Sequence, residues 1–255
     1  MLTDAVIANK AWIGAGAFAL LFALERARAA APAPPNIARL AKNGVLWALL
    51  VVLSPLIVLP LTAFAAAHPL WSRPAGWPSS AMLLADLVIF DLWAYWAHRA
   101  YHEVPFMRRF HRIHHLDERL DTTSAVRFHP GEVAISAVLR MAPIVVLSIP
   151  FAHVVLYETA LLAGSLFHHS NVRLPAAFER ALSRVIVTPS IHWVHHHAVR
   201  ADTNSNYAAV FSLWDIVFGT RSRTVRTPEM KIGVEGAADA PVLSLLFAPL
   251  RRGGL

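Results

Sequence analysis

The stretch DLWAYWAHRAYHEVPFMRRFHRIHHLDERLDTTSAVRFH, residues Asp91–His129, organises the rest of this chain. It carries six of the chain's 14 histidines. A second group of four lies far downstream, between His192 and His197. The sequence around both groups is mostly apolar, since hydrophobic residues make up 56% of the 255 residues and charged residues only 15%. The chain therefore combines a large apolar platform with a concentrated set of imidazole side chains.

This composition is typical of an integral membrane protein. A soluble domain has ~25% charged residues, well above the 15% found here. The net charge of +7 is compatible with nucleic-acid binding, but membrane proteins also gather lysine and arginine in their cytoplasmic loops. Because the sequence has no basic stripe with interleaved aromatic residues, we predict that the chain binds no nucleic acid.

Several apolar segments are long enough to cross a bilayer, which takes ~20 helical residues. Three of them are Val6–Leu24, Gly44–Ala67 and Ala81–Ala97. A longer apolar stretch, Val133–Phe167, is compatible with two spans or with a hairpin that dips partway into the membrane. Since lipid leaves a backbone few alternatives to the helix, we predict an all-α integral membrane protein with about four transmembrane helices, or three plus a hairpin.

Positive charge sets the predicted orientation. Arginine and lysine cluster between Arg26 and Lys42, and by the positive-inside rule this connection is cytoplasmic. The third span returns the chain to the same side, so the histidines and the mixed sequence after Asn171 are expected to form a cytoplasmic, histidine-rich helical cap. A multi-pass protein of the bacterial inner membrane fits this pattern and the lack of an appended haem or reductase domain.

Three histidine boxes carry the chemistry. They are His98-x3-His102, His111-x2-His114-His115 and His192-x2-His195-His196. Residues three or four apart share one face of a helix, so the imidazoles of a box can converge on an ion. Eight such nitrogens exceed what a single ion needs, and they suit two ions with open positions. The neighbouring His197 is the member that we expect to be a spectator.

The type of ligand narrows the choice of metal. The chain has no cysteine, which excludes disulfides, iron–sulfur clusters and thiolate zinc sites. Neutral imidazole suits zinc, copper, iron and nickel, and zinc enzymes usually combine three protein ligands with a water molecule. A set of histidines this large fits redox iron better, with zinc as an alternative occupant. The Glu-x-x-His motif of soluble di-iron bundles is absent.

These motifs resemble those of the membrane-bound fatty acid hydroxylase and sterol desaturase superfamily. The resemblance covers roughly residues 80–220 and keeps the order and spacing of several motifs. The matching runs are D-x3-Y-x2-HR-x2-H (Asp91–His102), FHRIHH (Phe110–His115), RFHPGE (Arg127–Glu132), HHSNVRLP (His168–Pro175), TPSIHWVHH (Thr188–His196), NYA (Asn206–Ala208) and LWDIVFGT (Leu213–Thr220). We accordingly expect an N-terminal transmembrane helical pair at residues 1–80, a hydroxylase-like catalytic domain at 81–220 and a C-terminal tail at 221–255.

The resemblance implies a non-haem centre of two iron ions that activates O2 on a lipid-like substrate. It also implies an external electron donor of the ferredoxin or cytochrome type, with its reductase. Carried over onto this sequence, the metal ligands are His98, His102, His111, His114, His115, His129, His169, His192, His195 and His196. The carboxylates available to orient ligand histidines are those of Asp91, Asp117, Asp121, Glu132 and Asp215.

Two reactions and two classes of protein stay open at this point. We expect hydroxylation of an unactivated C–H bond of a lipid or sterol-like substrate, but the boxes do not separate this reaction from desaturation. A histidine-rich membrane metal transporter or metal-binding protein is the alternative from a different class. A transporter is expected to carry ionisable residues through several spans, whereas most of the histidines lie outside the apolar segments.

Overall fold

The chain folds into helices. The computed structural model describes residues 2–74, 76 and 79–251. Residues 1, 75, 77 and 78 of the predicted segment 1–80 and residues 252–255 of the predicted tail lie outside the described part. The α-helices are α1 (Leu2–Ala27), α2 (Ile37–Ala67), α3 (Ser79–Glu103), α4 (Pro105–His115), α5 (Pro130–Leu147), α6 (Phe151–His169), α7 (Ala176–Leu182), α8 (Pro189–His195), α9 (Arg200–Thr203), α10 (Leu213–Val217) and α11 (Val242–Phe247). No β-strand occurs among the described residues, which contain isolated β-bridges instead.

Within the described ranges, four helices are long and apolar enough to cross a membrane, namely α1, α2, α3 and α5. The predicted all-α membrane fold with about four spanning helices is therefore confirmed. Large apolar side chains cover the outside of these helices, and Trp12, Val52, Leu56 and Leu84 are each more than half exposed. Such side chains belong in contact with lipid, since lipid chains are as apolar as they are.

The predicted hairpin consists of α5 and α6. Ser148 ends α5 in the left-handed conformation, with φ of 53°, and Pro150 directly precedes α6. The tight turn sends α6 back towards the histidine boxes. His169, at the end of α6, has its Nε2 atom 3.0 Å from Nε2 of His114.

Inside the bundle, α2, α3, α5 and α6 share an apolar core. Buried side chains from each of these helices meet in it: Ala65, Phe90, Ile144, Val154 and Tyr157. The rings of Phe90 and Tyr157 stack with centroids 5.4 Å apart, which ties α3 to α6. This core holds together α3 and α6, two of the helices that carry histidines of the site.

α2 extends beyond the membrane and holds the cap. Its 31 residues span about 46 Å, which exceeds the ~30 Å hydrocarbon thickness of a bilayer. In its first turns, Arg39 donates to both carboxylate oxygens of Asp117, at 2.5 and 2.8 Å, and to Asp121 at 2.6 Å. Asn43 donates to Asp117 as well, at 3.0 Å. These bonds fasten the loop that follows the second histidine box to the transmembrane bundle.

Replacing Arg39 with methionine should destabilise the protein strongly. Loss of one partner of a buried ion pair leaves an uncompensated charge and costs about 3–5 kcal/mol. We expect a large drop in the apparent melting temperature of the detergent-purified protein. The matched control is Arg99→Met, which breaks a partly exposed pair with Glu103 on α3 and should cost less than ~1 kcal/mol. Equal melting temperatures for the two variants would contradict a structural role for the Arg39 network.

Candidate metal centre

A tight corner between two helices brings the first two boxes together. α4 begins at Pro105, two residues after the end of α3, and proline suits this position because the first helical residue needs no backbone N–H partner. The chain folds back there, so that Nε2 of His98 lies 3.2 Å from Nε2 of His111. α8 and the end of α6 supply the remaining histidines, with His192 Nε2 2.9 Å from His169 Nε2.

Nine of the ten predicted ligands assemble into two groups. The five-histidine group consists of His98, His102, His111, His115 and His195. The four-histidine group consists of His114, His169, His192 and His196. Within each group, one ring nitrogen of every member lies within 4.8 Å of the others. The two groups adjoin, because neighbouring residues in the chain belong to different groups. His114 and His196 are members of the four-histidine group, whereas His115 and His195 are members of the five-histidine group.

In the four-histidine group, hydrogen bonds to the backbone fix where the ring protons lie. Nδ1 of His114 is 3.1 Å from the Arg127 carbonyl oxygen, and Nδ1 of His169 is 2.7 Å from that of Ser165. A carbonyl oxygen only accepts, so each Nδ1 carries the proton, and each Nε2 of the neutral ring carries a lone pair. The two Nε2 atoms are 3.0 Å apart. Lone pairs facing each other at this distance repel unless a cation lies beside them, which is the arrangement of metal ligands.

The five-histidine group repeats this pattern. His98 donates from Nδ1 to a backbone carbonyl at 2.8 Å, and His111 donates from Nδ1 to Oε1 of Glu132 at 2.7 Å. Their Nε2 atoms, 3.2 Å apart, therefore also face each other without a proton. Nε2 of His102 and Nε2 of His195 are buried and have no hydrogen-bond partner among the described residues. Buried nitrogens without partners are costly, and a bound metal ion would satisfy them.

Distance and protonation state both suit metal binding. Imidazole nitrogens about 2.1 Å from a zinc ion and at right angles to each other are about 3.0 Å apart, close to the separations seen in both groups. Burial lowers the pKa of His114, His115 and His196 well below the usual range, and repulsion from neighbouring imidazoles lowers it further. These rings are therefore neutral at pH 7, and the neutral form is the one that binds a metal.

Glu132 is the only one of the five predicted carboxylates that contacts a ligand histidine within the described residues. It lies in the first turn of α5, and its bond to His111 is the kind of support that orients a metal ligand. The other four hold loops by accepting from backbone, arginine or other side-chain donors: Asp91, Asp117, Asp121 and Asp215.

Five histidines lie outside both groups: His68, His129, His153, His168 and His197. His129, the tenth predicted ligand, accepts from the Gly131 backbone N–H through Nδ1 at 2.8 Å and donates through Nε2 to the Leu246 carbonyl at 3.0 Å. Both of its ring nitrogens are thus used, and it caps α5 instead. His168 is buried beside the four-histidine group, where its ring contacts that of His192 at a centroid distance of 4.0 Å, with the two planes tilted by 43°. His197 bonds to a carboxylate at 2.7 Å, away from the site.

An apolar cavity reaches the histidines from the membrane side. This membrane cavity has a volume of ≈ 610 Å³. Its apolar wall includes Val58, Leu59, Val133, Leu161 and Leu162. At one end it touches members of both groups: His98, His111, His114, His169 and His192. Three ionisable residues from the spans also line it: Lys10, Arg140 and Glu158.

A second opening reaches the five-histidine group from the cap. This cap cleft has a volume of ≈ 390 Å³ and touches His102, His111 and His115. Its rim is basic, with Arg108, Arg112 and Arg200. The candidate metal centre therefore lies between an apolar opening on the membrane side and a positively charged opening on the opposite side.

Comparison with known proteins identifies the family. The fatty acid hydroxylase family model matches residues 83–220, which is more than half of the chain. The chain belongs to the fatty acid hydroxylase family. The matched segment contains every member of both histidine groups, and the resemblance noted in the sequence is confirmed.

Similar proteins from this superfamily are named as lipid or sterol hydroxylases and monooxygenases. The chain is 31% identical to the ornithine lipid hydroxylase OlsE of Rhizobium tropici over 217 residues, which cover 84% of this chain and 64% of that protein. It is 30% identical to the alkylglycerol monooxygenase of Homo sapiens over 150 residues (59% and 31%), and 29% identical to methylsterol monooxygenase 1 of Rattus norvegicus over 155 residues (59% and 50%). The chain thus spans less than two thirds of each relative. No solved structure matches it.

Some residues around the centre have little or no sequence signal. Backbone carbonyls, such as those of Arg127 and Ser165, set the tautomers of ligand rings, and any residue type can supply a carbonyl. Arg140 and Glu158 interrupt the apolar stretch Val133–Phe167, and an ionisable residue at membrane depth is itself a signal of function. No motif connects that pair to the histidines, whereas the membrane cavity does.

The two groups make a prediction about metal content. We expect ~2 metal ions per chain in detergent-purified protein expressed with iron, one for each group. His114→Ala should lower the content of the four-histidine group, and His102→Ala that of the five-histidine group, each by about one ion. Mass spectrometry of the metals checks this, with His197→Ala as the control that keeps the full content. Full metal content in both ligand variants would contradict the assignment.

Proposed function

We propose that this protein is an O2-dependent membrane oxidoreductase that hydroxylates an unactivated C–H bond of a lipid or sterol-like substrate. The observation that carries the proposal is the position of two groups of facing imidazole lone pairs at the end of an apolar cavity in the membrane. A metal centre placed there meets lipid chains directly. The relatives, which include a hydroxylase and monooxygenases, favour hydroxylation over desaturation.

The five-histidine and four-histidine groups are the proposed binding sites of two iron ions. Neutral nitrogen donors suit iron, and zinc is an alternative occupant of the same ligands. When bound, the two ions would supply the activation of O2 and the oxidation of the C–H bond. His98, His111 and His114 need no change of protonation to bind, since two backbone carbonyls and Glu132 already hold their protons on Nδ1.

The remaining residues position the ligands and the substrate. Phe128 stacks on His114 with ring centroids 4.5 Å apart and planes only 9° apart, which fixes the orientation of that ring. The apolar wall of the membrane cavity holds a hydrocarbon chain by excluding water. Exclusion of water also protects reactive oxygen chemistry from side reactions. Orientation of one C–H bond against the site is then the main contribution of the protein chain.

We propose that the histidine groups lie on the cytoplasmic side of a bacterial inner membrane. The arginines of the cap cleft gather on this end of the bundle, together with Arg28 after α1 and with Arg39 and Lys42 in the first turns of α2, in accord with the positive-inside rule. An acidic electron-donor protein would dock on the cap cleft. Its rim is positively charged, and three ligand histidines lie at its floor, so docking would place the donor next to the metals.

Lipid analysis tests the oxidation. Expression in a bacterium that lacks the protein should yield lipid species heavier by a single oxygen atom. His195→Ala should abolish them without lowering the amount of protein in the membrane, because its unpartnered Nε2 is a proposed metal ligand. Species lighter by two hydrogens would assign desaturation instead. Unchanged lipids in cells with metal-loaded protein would overturn the enzymatic proposal and favour the metal-transport alternative.

Charge reversal in the cap cleft tests electron delivery. Arg108→Glu and Arg200→Glu should each slow reduction by an acidic ferredoxin by roughly tenfold at low salt, because complementary charge mainly accelerates association. The difference from the unsubstituted protein should shrink as salt rises. Reduction by dithionite, a small reductant, serves as the control and should stay unchanged. The same ferredoxin rate in all proteins would place the docking site elsewhere.

A further inference from the structure

A charged pair lies between α5 and α6, partway along these two apolar helices, and faces the membrane cavity. Arg140 of α5 and Glu158 of α6 form an ion pair across the hairpin. The side chains keep 18% and 26% of their surface accessible, and both residues line the membrane cavity. Accessible charge at this depth is expensive, and ionisable residues within spans usually mark a functional site.

Glu158 differs in its hydrogen bonding from the two aspartates of α3, Asp86 and Asp91. Asp91 is completely buried and accepts four hydrogen bonds, from the backbone of Val210 and Phe211 and from the Tyr157 and Trp214 side chains. Asp86 is nearly buried too, and arginine and histidine side chains occupy both of its oxygens. Such saturated carboxylates hold structure together.

Arg140 and Glu158, in contrast, have hydrogen-bonding groups that the described part of the protein does not occupy. Each has the other as its single hydrogen-bond partner within the described ranges. A guanidinium group offers five N–H donors, so most of those of Arg140 remain for another partner. Since α5 and α6 are already joined by a short turn and by an apolar core, the bundle does not need an open ion pair to hold them.

Because Glu158 and His169 belong to the same helix, the distance between the ion pair and the histidines is fixed. Glu158 precedes His169 by 11 residues on α6, which corresponds to about 16 Å along the helix. Lys10 of α1 lines the same cavity and is exposed at the outer face of the bundle. Two cations and one anion therefore line the cavity, and their charges sum to a net positive charge.

We propose that Arg140, Glu158 and Lys10 form a polar subsite that binds the oxyanionic end group of a single-chain amphiphile, a carboxylate or a phosphate. The inference rests on the proposed function, since it assigns one end of the substrate whose other part lies at the histidines. The guanidinium binds the oxyanion, Glu158 orients the guanidinium, and Lys10 attracts the group at the entrance. The fixed distance between subsite and histidines then decides which carbon of the chain is oxidised.

Ligand binding tests the subsite without any chemistry. The probes are dodecanoic acid, dodecyl phosphate and the uncharged dodecan-1-ol, with protein in nanodiscs and empty nanodiscs subtracted. We expect the two anionic probes to bind at least ~10-fold more tightly than the alcohol, which is a difference of about 1.4 kcal/mol. The double variant Arg140→Leu/Glu158→Leu should abolish this preference and leave binding of the alcohol unchanged. Arg99→Leu/Glu103→Leu removes an ion pair of α3 outside the cavity and is the matched control.

Two further variants keep the test decisive if the double variant does not fold. Lys10→Glu changes an exposed residue and should reduce binding of both anions several-fold. Arg140→Lys keeps the charge but loses the planar fork, and should weaken binding while preserving the pair. Preference for dodecanoic acid alone would assign the carboxylate, and preference for dodecyl phosphate alone the phosphate. Equal binding of all three probes to the unsubstituted protein would overturn the subsite and leave the proposed oxidation intact, since binding needs neither iron nor O2.

Discussion

The structure depends on imidazole lone pairs that face one another in a buried site. Neutral rings held at this spacing repel, so the surrounding protein must supply the energy that keeps them there until a cation binds. For several rings it does so by giving the Nδ1 proton a fixed acceptor, as the carbonyl of Arg127 does for His114 and the carboxylate of Glu132 for His111. Those acceptors lie on the loop after the second box and on α5. The geometry of the site therefore depends on where these two elements are placed.

The cap follows from the same requirement. The segment between the second box and α5 has no long helix of its own, so its position comes from buried polar bonds. Arg39 reaches it from the end of α2, and Glu25 of α1 accepts from the backbone and hydroxyl of Thr122 at 2.9 Å. Both helices continue into the membrane. The transmembrane bundle thereby becomes the rigid frame to which the ligands of both groups are attached.

Much of this organisation could be predicted from the sequence, because it depends on local patterns. Apolar length identified the spanning helices, and histidine spacing placed most members of both groups near each other. Spacing alone suggested that each box serves one ion, but His115 and His114 of one box belong to different groups. Adjacent residues point about 100° apart on a helix, so which ion each one faces depends on how α4 packs against α3, α6 and α8. The shared role of Arg140 and Glu158 likewise depends on the packing of two helices.

The centre lies between two openings of opposite character, and this has a consequence for the order of events. Under the proposed function, a hydrocarbon chain arrives from the lipid phase through the membrane cavity, while reducing equivalents arrive from the aqueous phase across the cap cleft. The two routes do not obstruct each other, so the metal centre can be reduced before, during or after one lipid is exchanged for the next. Such a catalytic cycle has no obligatory order of binding for the lipid and the electron donor. Its rate depends on whichever of the two is less abundant in the cell.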